Sequence, residues 1–161
     1  MTRHEMILTQ VNQSIQSLSK KIKLRYPRLS WQIKYNQDSD ILVRSEECFT
    51  MQVGFNDEEL EVLDLNVQLD DDNNLRIDAG LIEDDKVIQQ LIDKNILGDI
   101  KELFSGYWSS EDRDGLNSST RLKALMNFNK SNLKSIQANI SDIMRQIEIA
   151  FMLVMSELRA V

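Results

Sequence analysis

The feature that most constrains this chain is a change in the spacing of its apolar residues at its single proline. Before Pro27, the residues Leu8, Val11, Ile15, Leu18 and Ile22 recur at intervals of three and four, the spacing of one face of an α-helix. After it, Leu29, Trp31, Ile33 and Tyr35 alternate with Ser30, Gln32 and Lys34, the period-two pattern of a strand with one buried face. Proline lacks an amide hydrogen and clashes with the preceding helical turn, so the first helix must end there. Thr2 and Glu5, three residues apart, have the form of a capping box that starts it. A helix is therefore expected within residues 1–26.

The alternation continues through Ile41 and Val43, then Phe49, Met51, Val53 and Phe55, then Leu63, Leu65, Val67 and Leu69, and finally Leu75, Ile77 and Ala79. Five strands are thus expected over residues 28–82. Their links are short and rich in turn formers, as in Asp70 to Asn74, so an antiparallel meander is the economical topology. Each strand has one apolar and one polar face, which places every helix on the same side of the sheet. The fold class is α+β, in two layers: an N-terminal helix, a five-stranded antiparallel meander with helices packed on one face, and a long C-terminal helix. A chain of 161 residues suffices for one domain with a sizeable core.

Helical spacing returns with Val87, Ile88, Leu91, Ile92 and Ile96, with Gly98 placed as its terminator and a short helix from Asp99 to Phe104, giving helices over 84–104. Residues 105–119 read as an acidic surface loop around Tyr107 and Trp108. Residues 120–161 read as C-terminal helices: first Thr120 to Phe128, then a long one marked by Leu133, Ile136, Ile140, Ile143, Ile147, Phe151, Val154 and Leu158, with Ser131 or Asn132 as its cap. From Ile147 to Met155 this helix is apolar on nearly every side, so that part is expected to be buried all round or pressed against a second subunit. The seam Ile136, Ile140, Ile143, Ile147 and Phe151 suits either covering the sheet or building a homodimer.

Charge is segregated. Residues 1–44 carry eight bases and three acids, residues 45–114 five bases and twenty acids, and residues 115–161 six bases and three acids, within a net charge of −7. Either the basic ends pack near the acidic middle and neutralise it, or the middle forms a negative face that steers a protein partner with a basic surface. Nucleic acid is disfavoured by the overall sign, and the local cluster Lys20, Lys21, Lys23, Arg25 and Arg28 reads as a solvated helix end. No membrane association is expected, because the apolar stretch Ile147 to Met155 is far too short to span a bilayer and Met1 to Glu5 has no apolar signal core. The single thiol, Cys48, rules out an intramolecular disulfide and suits a reducing compartment, so a cytoplasmic location is expected.

The residue types that catalysis favours are sparse. The one histidine, His4, sits near a terminus and reads as a solvated helix-start residue, while Cys48 has no base in view and reads as a packing residue. Asp70, Asp72 and Asn74 mimic the opening of a calcium loop, but Leu75 stands where glycine is needed and Leu81 where a bidentate glutamate is needed, so a hairpin turn is expected. Glu111, Asp112 and Asp114 before Gly115 offer at most weak, nonspecific cation binding. The five glycines stand alone and form no phosphate loop. Asp64, Asp78 and Arg76 are expected as cross-strand ion partners rather than as an acid–base pair. No cofactor and no metal is expected.

Interaction surface is what remains. Tyr107 and Trp108, with Glu111, Asp112 and Asp114 in the loop and Asp70, Asp71 and Asp72 in the turn, are the expected partner-binding residues, unless Trp108 folds back onto the core as a pin. The polar sheet face, with Ser30, Gln32, Lys34, Arg44, Thr50, Gln52, Asp64, Asn66 and Gln68, is a second surface. Small size, a low isoelectric point and helix–meander–helix order with amphipathic end helices resemble a profile shared by bacterial secretion chaperones and toxin-immunity proteins. Secretion chaperones place a helix between their third and fourth strands, and this pattern shows none. The expectation is a non-enzymatic, acidic protein-binding module that masks, inhibits or carries a partner. The alternatives are an enzyme using carboxylates and a divalent metal, and an assembly component that oligomerises through its terminal helix.

Overall fold

A computed structural model describes residues 2–35, 47–55, 61–81, 85–96, 98–99 and 121–159. The order of elements is α1 (Arg3–Arg25), β1 (Leu29–Tyr35), β2 (Glu47–Phe55), β3 (Glu61–Leu69), β4 (Asn74–Leu81), α2 (Asp85–Asp93), β5 (Arg121–Asn127) and α3 (Leu133–Arg159). The five strands form one antiparallel sheet in sequential order, so the α+β architecture expected from the sequence is present.

Helix α1 begins as a capping box: the Glu5 amide donates to Thr2 Oγ1 at 3.1 Å and the Thr2 amide to Glu5 Oε2 at 3.2 Å. Ile7, Val11, Ile15, Leu18 and Ile22 form its buried stripe, with Leu8 half-buried beside it. The helix closes at Tyr26, whose amide donates to Ile22 O, and Pro27 turns the chain into β1. Helix α3 is capped by Asn132, whose Oδ1 accepts from the Ser135 amide at 2.8 Å.

Register aligns the apolar residues on one face. Val53 pairs with Leu63, Leu63 with Leu81, Leu65 with Ala79, Val67 with Ile77, and Ile77 with Ala124. These side chains meet Ile136, Ile140, Ile143, Ile147, Phe151 and Val154 of α3, all buried. Tyr26 and Phe151 pack edge to face, with centroids 5.6 Å apart and planes at 82°, joining α1 to α3. Burying each such aliphatic or aromatic side chain stabilises by roughly 1.5–3 kcal/mol before entropy is counted.

The seam Ile136, Ile140, Ile143, Ile147 and Phe151, suited by its spacing either to cover the sheet or to build a homodimer, is occupied inside the chain. Each is at most 1% exposed, because α3 turns that stripe onto the sheet and α1. Nor is the stretch from Ile147 to Met155 buried all round: Ile149, Met152 and Leu153 remain half-exposed on its outer side.

Two further expectations are corrected. Residues 121–127 form an edge strand rather than a helix. Leucine, lysine, alanine and methionine favour helices in isolation, but pairing β4's free edge, with Ala124 set opposite Ile77, outweighs that preference. The terminator of α2 is Asn95 in a left-handed conformation (φ 58°) rather than Gly98. Gly98 is instead where the backbone passes close to Asn95, since a Cβ there would lie 2.6 Å from Asn95 Oδ1. The expected strand around Ile41 and Val43, the short helix beyond Asp99, and the loop at 105–119 lie outside the described residues. Among the described residues, no helix is long and apolar enough to cross a membrane.

Candidate functional site

Helices cover one face of the sheet, and the other face carries the polar positions of all five strands. On β2 that face is buried at Cys48 and Thr50 and exposed at Gln52, and the Cys48 thiol donates to Asn66 Oδ1 at 3.3 Å. Cys48 is thus a packing residue, as expected. Toward β4 and β5 the face opens into a shallow depression of about 380 Å³ lined by Asn66, Gln68, Arg76, Asp78, Lys123 and Leu125.

The register orders these six side chains in two rows across three strands. Gln68, Arg76 and Leu125 form one row, and Asn66, Asp78 and Lys123 form the next. Neighbouring strands lie about 4.8 Å apart, so members of a row are within reach of one another and of one bound chain segment. Asp78 and Lys123 sit opposite each other, one cation against one anion. Arg76 stands in a row that holds no acid. Its neighbour Leu125 is 62% exposed, a large apolar side chain on an otherwise polar surface. Asp64 lies in the following row, opposite Gly80, so the expected cluster of Asp64, Asp78 and Arg76 occupies three separate rows.

The acidic turn has a different use. Asp70 Oδ1 accepts from the amides of Asp72 and Asn74, both at 2.9 Å, and its Oδ2 accepts from Asn74 Nδ2 at 3.0 Å. Asn73 takes a left-handed conformation (φ 59°) and its amide donates to Asp70 O, as a three-residue hairpin loop requires. Partial burial opposes ionisation of Asp70. The Asn74 side-chain amide, the Asn74 and Asp72 backbone amides and finally the Arg76 guanidinium outweigh it, so the carboxyl is held below its ordinary value. The Asp70 carboxylate is therefore engaged within the turn. Asp71 and Asp72 have exposed side chains.

That turn is tied to the β5–α3 connection by an asparagine cluster. Asn127 Nδ2 donates to Asn74 Oδ1 and Asp72 O, Asn129 Nδ2 donates to Asp72 O, and Asn73 Nδ2 donates to Asn129 Oδ1. His4 Nδ1 lies 3.3 Å from Asn73 Oδ1, and Arg3 donates to the carbonyls of Phe128 and Ser131. His4 is thus a half-buried partner in a structural corner, where solvent alone was expected.

A second recess, of about 250 Å³, runs between α1 and α3 past Gln10, Gln13, Ser14, Ser17, Ser141 and Arg145, with the Lys21–Glu148 ion pair (3.4 Å) along it. Among the described residues, no group of three His, Cys, Asp or Glu side chains is placed to hold a metal ion. The expected anchors Tyr107, Trp108, Glu111, Asp112 and Asp114 lie outside the described residues. Arg76, Lys123 and Leu125 were missed as surface residues to weigh together. The available signal was the alternation Leu122, Ala124, Met126, which Leu125 disguises. No known protein family, curated protein or solved structure matches the chain.

Proposed function

We propose that the chain is a non-catalytic protein-binding module that masks, inhibits or carries a partner, and that the partner seats at β4 and β5 on the sheet face opposite α1 and α3. The observation that carries this reading is Leu125, 62% exposed beside Arg76, in a depression whose other exposed or half-exposed side chains, Asn66, Gln68, Arg76, Asp78 and Lys123, are all polar. An apolar anchor ringed by donors and acceptors is the composition of an interface centre. Five paired strands give it a rigid backbone platform, so binding there requires ordering of side chains only. The reading includes a reducing, cytoplasmic setting, in keeping with the buried thiol of Cys48. A basic partner surface would have to meet the acidic positions away from this face.

The test is capture from cell extract with the intact chain, followed by affinity measurement with the purified partner. Leu125→Asp is expected to weaken the complex at least tenfold, while Gln137→Asp on the exposed side of α3 leaves it unchanged. Equal affinity for Leu125→Asp and the parent chain would refute the assignment of this face.

A further inference from the structure

We infer that the segment recognised by this face carries side-chain carboxylates on either side of an apolar residue. The inference rests on the reading of the β4–β5 face as the binding surface and adds the partner's chemistry. Its basis is a local reversal of sign: the chain carries −7 overall, yet the charged residues lining the depression are Arg76, Lys123 and Asp78. Asp78 faces Lys123 across the strands and offsets it, leaving the Arg76 row with the net positive charge. Among the described residues, no carboxylate forms an ion pair with Arg76. Its influence on Asp70 is a weak, longer-range one, the least of the causes that hold that carboxyl down.

The row itself sets the recognition pattern. Gln68 presents an amide, Arg76 a planar guanidinium suited to bidentate contact with a carboxylate, and Leu125 an apolar surface, each about one strand spacing, roughly 4.8 Å, from the next. A carboxylate on Arg76 and Gln68 thus brings the neighbouring apolar side chain of the same segment onto Leu125. A basic segment would meet Arg76 and Lys123 as like charges. The occupant is accordingly an acidic, apolar-centred segment of another protein.

The test uses three fluorescently labelled, C-terminally amidated nine-residue peptides with a central leucine among serines, differing only in glutamate, glutamine or lysine on either side of it. The glutamate peptide is expected to bind the intact protein at least tenfold tighter than the lysine peptide. Arg76→Gln should erase that preference and Arg76→Glu reverse it, both with unchanged circular dichroism and melting, because Arg76 is exposed. Equal binding of the glutamate and glutamine peptides, with Leu125→Asp weakening both, would overturn the carboxylate inference and leave the face assignment standing. Binding indifferent to Leu125→Asp would remove the face assignment and the inference with it. Failure of all three peptides to bind at millimolar concentration would also overturn the inference.

Discussion

Asp70 and Asn74 hold each other through three hydrogen bonds. The Asp70 carboxylate accepts from the Asn74 amide and side chain, and the Asp70 amide donates to the Asn74 carbonyl at 3.2 Å. Because ionised Asp70 is favoured in the folded state, its carboxyl is depressed relative to the unfolded chain. The stability it contributes is complete above the unfolded value, near 3.8, and is lost as pH falls through the folded one. Asp70→Asn should therefore flatten the fall of melting temperature in the acid range below about pH 4, and Asp70→Ala should cost about 1 kcal/mol at neutral pH, solvent screening keeping it near that size. Thermal melts from pH 7 to pH 3 check both, and identical acid profiles for Asp70→Asn and the parent would contradict the assignment.

Lys94, at the end of α2, pairs with Glu157 of α3 at 2.8 Å, and the Glu157 side chain is 11% exposed. Removing the lysine leaves a largely buried carboxylate with its ion partner gone. Lys94→Ala is expected to destabilise by about 1–2 kcal/mol, less than for a fully buried pair because the lysine is more than half exposed. Lys94→Ala combined with Glu157→Gln should recover part of the loss, as read by a double-mutant cycle in urea.

Ile143 and Phe151 are fully buried in the core of the single chain. Ile143→Ala should cost about 2–5 kcal/mol and Phe151→Ala about 3–5 kcal/mol. The unfolding midpoint of each should be the same at micromolar and at hundred-micromolar protein. A midpoint that rises with concentration would show that the stripe also carries an oligomer contact.

What the sequence made legible follows from how local each determinant is. The switch of period at Pro27 and the Thr2–Glu5 box depend on neighbours within a turn, and α1 and β1 appear where those residues place them. Strand β5 was hidden because Leu125 breaks the alternation of Leu122, Ala124 and Met126, and only pairing with β4 reveals which face it occupies. The asparagine corner was hidden for a related reason. Asn73 lies more than fifty positions from Asn127 and Asn129 along the chain, and the hydrogen bonds that join the two segments exist only once β4 and β5 are adjacent. Asp70 looked available to a partner because the acidic run around it is conspicuous, whereas its role in the turn depends on the geometry of the two following amides.

Leu125 sits on an edge strand with most of its side chain in solvent, so its loss should be nearly neutral for folding. Leu125→Ser is expected to change stability by no more than about 1 kcal/mol, within the range of strand preference at exposed sites. Chemical denaturation checks this, and a loss above about 2 kcal/mol would mean that the residue belongs to the core.

The most direct measurement places a photo-reactive benzophenone amino acid at position 125 and, in a second protein, at position 137 on the exposed side of α3, then irradiates each with the captured partner. Crosslinking from position 125 and not from position 137 is the result expected if the β4–β5 face opposite α1 and α3 holds the partner. Crosslinking from position 137 with none from position 125 would contradict it.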